Sequence, residues 1–304
     1  MVLATDHQAQ AERLEDSLGV ADRGIFSDLD SRVQIELPTH NSPTSATDPG
    51  VKAVIDPGRR LLVLYIDGWP RKVYPLAHST AWQKKPPALA LRPGDRRELA
   101  RFLRIAHFET LARGSAVRPG DSDGDGIPDP LDILIGGKKT VLNGARYGAG
   151  YIEISYPMGD VPRDRGVCTD VVIRAVRNAG IDLQRELHRD IGRSPRSYPM
   201  VERRGNQHID HRRVKTLLPY FKRHWKRRSA AIDDQRDPLR PGDIVFMDTL
   251  PSRSGPDHIG IVSDRIGGSG RPLIINNWTH GYSTSEMDLL DWIPVTHRFR
   301  FPSR

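Results

Sequence analysis

The pattern of apolar and polar positions predicts strands and then a helix near the start of the chain. An apolar, β-branched run at residues 61–66 is followed by Asp67-Gly68 and a second run over residues 71–76. An Asp-Gly pair between two such runs is typical of a β-hairpin. Residues 95–114 instead repeat apolar side chains at helical spacing, which predicts an amphipathic helix. We therefore expect a small α+β accessory module over residues 51–118.

A second helical pattern spans GVCTDVVIRAVRNAG, residues 166–180, which holds the single cysteine of the 304-residue chain. Apolar residues recur there from Val167 to Ala179, and Gly180 follows as a C-terminal stop. Cys168 is therefore predicted at a helix N-terminus, where unpaired backbone N–H groups and the helix dipole favour a thiolate. We expect its pKa to fall from about 8.5 toward roughly 4–7. A small buried core residue is the alternative for a lone cysteine.

From residue 240 the pattern changes to short apolar, β-branched runs separated by turns rich in Gly, Ser and Pro. The runs are PGDIVFMD (241–248), HIGIVSD (258–264) and PLIINNW (272–278). They predict a meander of antiparallel strands. Period-two alternation places His258 at the head of the second strand on one face with Gly260, which leaves space beside it. Asn276 ends the third run, where it can lie beside His258.

Length and composition bound the class of protein. With 304 residues, of which 37% are hydrophobic, the chain can bury a substantial core. Its longest apolar runs fall far short of the roughly 18 residues needed to cross a bilayer. Residues 1–20 lack the basic region and apolar core of a secretory signal. The sequence therefore predicts no transmembrane segment and leaves the export route open.

Charge is distributed unevenly along the chain. Residues 1–50 carry nine acidic residues and three arginines, and they end in a Pro/Ser/Thr-rich stretch. We therefore expect residues 1–50 to be a flexible N-terminal segment with little order. Because the whole chain carries +8, the residues after 50 carry +14. A basic body indicates an anionic partner, which could be nucleic acid, acidic lipid or an anionic wall polymer.

The densest basic run is HRRVKTLLPYFKRHWKRR, residues 211–228, with eight Lys or Arg residues and no acidic residue. Its apolar residues fall near helical spacing, so we expect an amphipathic helix with a solvated basic face. Nucleic-acid binding is the alternative interpretation. No zinc-finger spacing or RNP signature accompanies the charge, so no nucleic-acid partner is predicted.

An acidic loop, DSDGDGIPDPLD at residues 121–132, has oxygen ligands at the spacing of a calcium loop. Positions 1, 3, 5, 7, 9 and 12 are Asp121, Asp123, Asp125, Ile127 through its carbonyl, Asp129 and Asp132. Position 12 is Asp rather than Glu, and Pro128 and Pro130 argue against a flanking helix, so the loop is similar to a thrombospondin type 3 calcium repeat. We expect structural calcium in a linker over residues 119–132 and no catalytic cofactor. An acidic solvated linker is the alternative.

Motifs in the second half of the chain carry a resemblance to a known family. They are YPMGDVPRDRGVCTDVVIRAVRNAGIDLQRELHRDI, NQHIDHRRV, RPGDIVFMD, HIGIVSD and PLIINN. In this order they resemble an uncharacterised-domain family of bacterial proteins related to the NlpC-type cell-wall cysteine peptidases. The resemblance implies an α+β, papain-like NlpC-type fold over residues 133–304, with the catalytic helix packed on an antiparallel sheet.

The same resemblance assigns the catalytic residues. It implies that Cys168 is the nucleophile, His258 the general base and Asn276 the residue that orients the histidine. Related sequences more often have His-Asn where this chain has Asn276-Asn277. An asparagine carbonyl can hold an imidazole tautomer. The third residue therefore stays open between Asn276, Asn277 and His280.

Further residues are candidates for the substrate site. They are Tyr156, Asp170, His211 and Asn277. Tyr156 resembles the tyrosine that lines the site in the broader group. His211 lies near His208 and Asp210, which predicts a substrate-facing or structural hydrogen-bonding loop, with a zinc site as the alternative. Asp170, in the first helical turn, is also expected to stabilise the helix start.

The resemblance implies a cysteine hydrolase that cleaves an amide bond in peptidoglycan stem peptides. The basic body suits an anionic wall polymer, and the calcium loop suits an extracytoplasmic compartment with millimolar calcium. Two alternatives stay open. One is a thiol hydrolase or acyltransferase that acts on a lipid or protein acyl group. The other is a catalytically impaired, calcium-stiffened module that binds the wall.

Overall fold

The computed structural model describes residues 128–302, apart from residues 163, 202–204 and 251–254, and of residue 142 it describes the backbone alone. Before residue 128 it describes Ile105, Gly120, Ser122 and the backbone of five strands. The predicted helix over residues 95–114 lies outside the described residues except for Ile105, which is buried with the main core.

The five N-terminal strands form two small antiparallel sheets. One sheet pairs β1 (Ile25–Ser27) with β2 (Gln34–Glu36), inside the segment where we expected little order. The other holds β3 (Val51–Asp56), β4 (Leu61–Ile66) and β5 (Trp69–Pro75) in that order. The predicted hairpin is confirmed, because Ile66 pairs with Trp69 on either side of the expected turn. Strand β3 adds a third member that the pattern did not predict.

The main body combines four described helices with a six-stranded antiparallel sheet. The helices are α1 (Asp129–Asn143), α2 (Cys168–Asn178), α3 (Leu183–Arg193) and α4 (Val214–His224). The short strands β6 (Arg146–Tyr147) and β7 (Arg165–Gly166) pair in parallel. The large sheet contains β8 (Lys226–Arg228), β9 (Ile244–Met247), β10 (His258–Ile266), β11 (Pro272–Asn276), β12 (Ser285–Met287) and β13 (Val295–Arg300). No described helix is long and apolar enough to cross a membrane.

The order of strands in the large sheet is β12-β11-β10-β9-β13-β8, and every neighbouring pair is antiparallel. Strands β9, β10 and β11 are the three predicted runs, so the antiparallel meander is confirmed. Strands β12, β13 and β8 extend it on both sides. The sheet therefore has two edges, β12 and β8.

Alternate residues of the sheet face two separate apolar clusters, as the two-residue period of a strand requires. Ile244, Phe246 and Ile261 pack with the buried residues of α1, α2 and α4. Val245 and Val262 pack on the other face with residues of the chain between β12 and β13. The sheet is thus covered on both faces, and α2 lies against the helical one.

Helices α1 and α2 approach closely through small residues. A Cβ atom on Gly136 of α1 would lie 2.7 Å from the Cα and carbonyl oxygen of Ala175 and from the Cβ of Asn178 in α2. Such contacts are shorter than van der Waals separation, so the crossing needs glycine at this position. This packing fixes the C-terminal half of α2 against α1.

Two expectations about helices need correction. Pro128 and Pro130 do not exclude a helix: α1 starts at Asp129, inside the predicted linker, because proline is compatible with the first helical turn. The basic run is an amphipathic helix only over Val214–His224, where Val214, Leu217 and Phe221 are buried. Its last basic residues form edge strand β8, which pairs with β13.

Candidate active site

The cysteine lies where the helical pattern predicts it, at the first residue of α2. Val167 is the extended N-cap residue, and its backbone N–H donates to the Asp170 carboxylate at 2.8 Å. Asp170 therefore supplies one half of a capping box. Gly166 precedes the cap, and its strand β7 pairs with β6. The helix start is held from both sides of the thiol.

The thiol of Cys168 is buried, with 8% of the residue exposed, and accepts hydrogen bonds from the backbone N–H groups of Ile259 and Thr169. Burial raises the pKa of Cys168 to about 12, and the carboxylates of Asp170 and Asp257 add to the rise. The expected fall in pKa is therefore wrong. A helix dipole contributes about 0.3–1 kcal/mol at such a terminus, whereas burial can shift a pKa by several units at about 1.4 kcal/mol each.

His258 and Asn276 form a buried pair on neighbouring strands. The Nε2 atom of His258 lies 3.1 Å from Oδ1 of Asn276, and the Asn276 Nδ2 donates to the carbonyl of Ile274 at 3.0 Å. The second bond orients the amide so that its oxygen faces the ring. Because that oxygen can only accept, Nε2 carries the proton and Nδ1 carries the lone pair.

Burial also sets the charge of the histidine. It lowers the pKa of His258 to about 4, against the opposing effects of the Asn276 hydrogen bond and the Asp257 charge. At neutral pH the imidazole is therefore neutral and Nδ1 is a free base. The Cys168 thiol is protonated under the same conditions, so both groups are uncharged at neutral pH.

The Cys168 thiol lies against the start of β10. Ile259, whose N–H bonds the Cys168 sulfur, is the residue after His258. Asp257, one residue before the histidine, is held by the backbone N–H and hydroxyl of Thr249, each at 2.8 Å. The strand start is thus anchored by Thr249 on one side of His258 and contacts the first residue of α2 through Ile259 on the other.

The surroundings of the His258–Asn276 pair are closely packed. The ring of Trp278 lies 4.8 Å from that of His258 at 69°, and 5.5 Å from the ring of Trp292. A Cβ atom on Gly260 would lie 2.4 Å from Cγ2 of Ile274 and 3.5 Å from Cβ of Asn276. The glycine therefore does leave the space that the pattern predicted, and that space is used by the residues that hold the histidine.

Asp170 stabilises the helix start, as expected, but does not face substrate. Its two oxygens accept from Nε and Nη2 of Arg212 at 2.7 and 3.0 Å, and only 2% of the residue is exposed. Thr169 also donates to the Arg212 carbonyl at 2.9 Å. Sequence reasoning missed Arg212, because nothing in its spacing pairs it with Asp170 across more than forty residues.

Of the three candidates for the orienting residue, Asn276 is the one that bonds His258. Asn277 points elsewhere: its Nδ2 donates to the carbonyls of Ala145 at 3.0 Å and Gly166 at 3.2 Å. His280 contacts the ring of Tyr147, with centroids 4.8 Å apart. Asn276 is the last residue of β11, whereas Asn277 follows the strand.

Tyr156 lies away from the thiol. Its ring contacts His188 of α3, and the carbonyl of nearby Gly159 accepts from Arg177 at 2.7 Å. Arg177 is nine residues after Cys168, about 13 Å along the helix at 1.5 Å per residue. The assignment of Tyr156 to the substrate site is therefore corrected: its loop packs against the far end of α2.

Tyr147 is a tyrosine near the Cys168 thiol. Burial and the charge of a Cys168 thiolate both raise the pKa of Tyr147. It lies on β6, opposite the Gly166 that leads into α2. The glycine-rich stretch after Tyr147 indicates a turn in the sequence. No spacing rule connects Tyr147 to Cys168, so sequence reasoning missed this tyrosine.

His211 is a core residue rather than a substrate contact. Only 2% of it is exposed, and burial lowers the pKa of His211 to about 3, with the charges of Arg177 and Arg212 adding to the fall. Nearby His208 bonds the backbone of Ile154 through Nδ1. Among the described residues no group of three or more His, Cys, Asp or Glu side chains could hold a metal ion.

The predicted calcium loop lies mostly outside the described residues. Four of the predicted ligands, Asp121, Asp123, Asp125 and Ile127, are among the residues that the structure does not describe. Asp129 accepts from the backbone N–H and hydroxyl of Ser122 at 2.8 and 3.1 Å, and Asp132 is buried in the first turn of α1. Both aspartates therefore belong to a helix start, and calcium binding stays a prediction.

The fold and site define an α+β protein with a helix-terminal cysteine beside a strand-borne histidine–asparagine pair. Residues 135–301, more than half of the chain, match the family described as "Domain of unknown function (DUF1287)". "Uncharacterized protein YijF" from Escherichia coli (strain K12) is 37% identical over 171 residues, which cover 55% of this chain and 80% of that protein. The chain belongs to the DUF1287 family, so the resemblance to an uncharacterised-domain bacterial family is confirmed.

Two solved structures show low similarity to the chain. The structure of NlpC2 from Trichomonas vaginalis is 14% identical, covers 93% of this chain and 70% of that chain, and has a TM-score of 0.36. The structure of NlpC1 from Trichomonas vaginalis is 15% identical, covers 92% and 66%, and also has a TM-score of 0.36. The family assignment rests on the sequence matches and not on these two structures.

Proposed function

We propose that this protein is a cysteine hydrolase that cleaves an amide bond in peptidoglycan stem peptides. The observation that carries the proposal is the buried hydrogen bond between His258 and Asn276. The residue after His258, Ile259, donates its backbone N–H to the Cys168 thiol. A nucleophile, a base and a group that orients the base are the parts that acyl transfer needs. The substrate class rests on the resemblance of the motifs to NlpC-type cell-wall peptidases.

Acylation starts from the neutral thiol and the neutral imidazole. The Nδ1 lone pair of His258 takes the thiol proton as the Cys168 sulfur forms a bond to the amide carbon, and the carbonyl electrons move to oxygen. The backbone N–H of Cys168, at the start of α2, then stabilises that oxygen, because helix N-termini leave their first donors without intrahelical partners. The tetrahedral intermediate collapses by breaking the C–N bond, and the imidazolium gives its proton to the leaving amine.

Deacylation uses the same base. His258 takes a proton from water as the water oxygen bonds to the thioester carbon, and collapse breaks the C–S bond. The thiolate recovers the proton from the imidazolium. Asn276 keeps Nε2 protonated throughout, so that Nδ1 is the basic nitrogen in both half-reactions, and its dipole stabilises the imidazolium as it forms.

Charge supports an anionic polymer as partner. The whole chain carries a net charge of +8, and the residues after 50 carry +14 because residues 1–50 are acidic. Such a body attracts a polyanionic wall through long-range electrostatics. On this basis we propose that the protein lies outside the cytoplasm. Residues 121–132 bind calcium there as a structural ion, because extracellular calcium concentrations are high enough to saturate such a loop.

The test is digestion of purified sacculi and soluble muropeptides, followed by mass spectrometry of the products. Wild-type protein should release new amine termini, while Cys168→Ala and His258→Ala should release none. Arg189→Ala is the matched control, because this exposed residue of α3 pairs only with Glu186 on its own helix among the described ion pairs. Release that survives Cys168→Ala overturns the proposal. Cleavage only of lipid esters or protein amides in a parallel panel would keep the chemistry and replace the substrate.

A further inference from the structure

Two adjacent asparagines at the end of β11 bond to different parts of the site. Asn276 bonds His258, while Asn277 donates from one nitrogen to the carbonyls of Ala145 and Gly166. Both asparagines are fully buried. Asn276 is the last residue of β11 and Asn277 the first residue after it, so one dipeptide reaches the base and the segment before the nucleophile at the same time.

The two carbonyls that Asn277 holds mark the approach to Cys168. Gly166 is two residues before the cysteine, and its carbonyl also accepts from Gly148 at 2.9 Å. The Ala145 carbonyl accepts from the backbone N–H of Thr284 at 2.9 Å. Asn277 therefore connects β11 to the two short strands β6 and β7, whose pairing leads directly into the first turn of α2.

Stability alone does not explain a buried asparagine here. The Oδ1 atom of Asn277 is buried without a hydrogen-bond partner among the described residues. An unpaired buried acceptor offsets much of what the two bonds from Nδ2 contribute. Buried groups left unsatisfied in this way are rare, so the two bonds from Nδ2 are the defined contacts of this side chain.

We infer that Asn277 is a positioning residue, which sets the distance between the Cys168 thiol and the His258 imidazole by fastening the segment before Cys168 to the strand that holds Asn276. This inference rests on the proposed function. The tether acts on the nucleophile through Gly166, whereas Asn276 acts on the base. Loss of either tether misaligns the same pair of atoms from a different side.

The test compares Asn277→Ala with a matched control, Asn178→Ala. Asn178 is equally buried and also donates to one carbonyl, that of Asp132 at 3.0 Å, but lies at the opposite end of α2. Two measurements are made on each folded variant: the rate of Cys168 alkylation by iodoacetamide as a function of pH, and kcat and KM for muropeptide cleavage. Asn277→Leu, which keeps the side-chain bulk, removes the donor and adds no charge, replaces Asn277→Ala if that variant does not fold.

The inference predicts opposite changes in the two measurements. Freeing the segment exposes the thiol, so its pKa falls from about 12 toward the ordinary value and alkylation at neutral pH accelerates. Misalignment by about 1 Å lowers kcat on the order of 100-fold with little change in KM. Asn178→Ala should leave both readouts at the wild-type values.

The outcomes separate this inference from the proposed function. If Asn277→Ala matches Asn178→Ala in both the alkylation profile and kcat, Asn277 is a structural residue and the inference is wrong. If the wild-type protein cleaves no muropeptide, the proposed function fails. The alkylation profile alone then decides whether Asn277 positions the thiol.

Discussion

Arg212 and Asp170 form a buried, two-pronged ion pair at the first turn of the helix that carries Cys168. Their contacts are 2.7 and 3.0 Å, and the side chains are 3% and 2% exposed. Arg212 also donates to the carbonyl of Gly150 at 3.1 Å. The pair therefore closes the helix start against two loops and neutralises a carboxylate that lies near the thiol.

Replacing Arg212 with Met should destabilise the protein by about 3–5 kcal/mol, because it leaves the Asp170 carboxylate buried and uncompensated. Urea unfolding measures the change. Arg213→Met is the matched control: the Arg213 side chain is 50% exposed and pairs with Asp210 at 3.2 Å. An exposed pair of that kind contributes about 0–1 kcal/mol. Equal losses in the two variants would contradict the buried-pair account, and addition of Asp170→Asn to Arg212→Met should recover part of the loss.

The free energy of unfolding should decrease as the pH is lowered from about 6.5 to about 4. His258 has its pKa lowered to about 4 and His211 to about 3, so the unfolded chain binds more protons than the folded one in this window. The full contribution is present above the unfolded pKa of about 6.5 and is lost as pH drops. His258 alone accounts for about 3 kcal/mol. Urea unfolding across this range should show that the free energy of unfolding depends less steeply on pH in His258→Gln than in the wild type. An unchanged pH dependence would place the histidine in solvent.

The acid limb of the pH–kcat/KM profile should lie near pH 4 rather than 6.5, because the free protein needs His258 neutral and burial lowers its pKa to about 4. Asn276→Asp should move that limb upward, since a carboxylate in place of the amide favours the imidazolium. The profile is measured with soluble muropeptides, with wild type and Asn276→Asp in parallel. A wild-type limb at 6.5, or no movement in Asn276→Asp, would be inconsistent with the observed His258–Asn276 contact.

Gly136→Ala should destabilise the protein by about 1–3 kcal/mol, because the added methyl group would overlap the backbone of Ala175 where α1 crosses α2. Gly192→Ala is the matched control. Gly192 lies in α3 with nothing within 4 Å of an added Cβ, so alanine there should stabilise by up to about 1 kcal/mol through helix propensity. Thermal unfolding of the two variants should give shifts of opposite sign. Shifts of the same sign would mean that the helix crossing does not require glycine.

Local pattern was sufficient to predict part of the fold. The strand runs around Ile244, Ile259 and Ile274 alternate or cluster apolar residues, and each forms a strand of the large sheet. Strand β13 was not predictable in this way, because its buried positions include Arg298 and Arg300. Arg300 bonds Asp243 at 2.6 and 2.7 Å, and only tertiary structure brings these charges together.

The candidate site shows the same division. The position of Cys168 follows from helical periodicity, and His258 and Asn276 follow from strand ends. The raised pKa of the Cys168 thiol could not be predicted, because it depends on burial beneath residues far away in the sequence. The replacement of Tyr156 by Tyr147 as the neighbouring tyrosine has the same cause: the parallel pairing of β6 with β7 is a non-local contact.

The most direct test of the central claim is intact-protein mass spectrometry of an acid-quenched reaction with muropeptides. We predict a covalent adduct with the mass of the acyl part of the cleaved stem peptide, located on the peptide that contains Cys168. The adduct should be absent in Cys168→Ala and in His258→Ala. Muropeptide cleavage that proceeds in Cys168→Ala without any adduct would contradict the assignment of Cys168 as nucleophile.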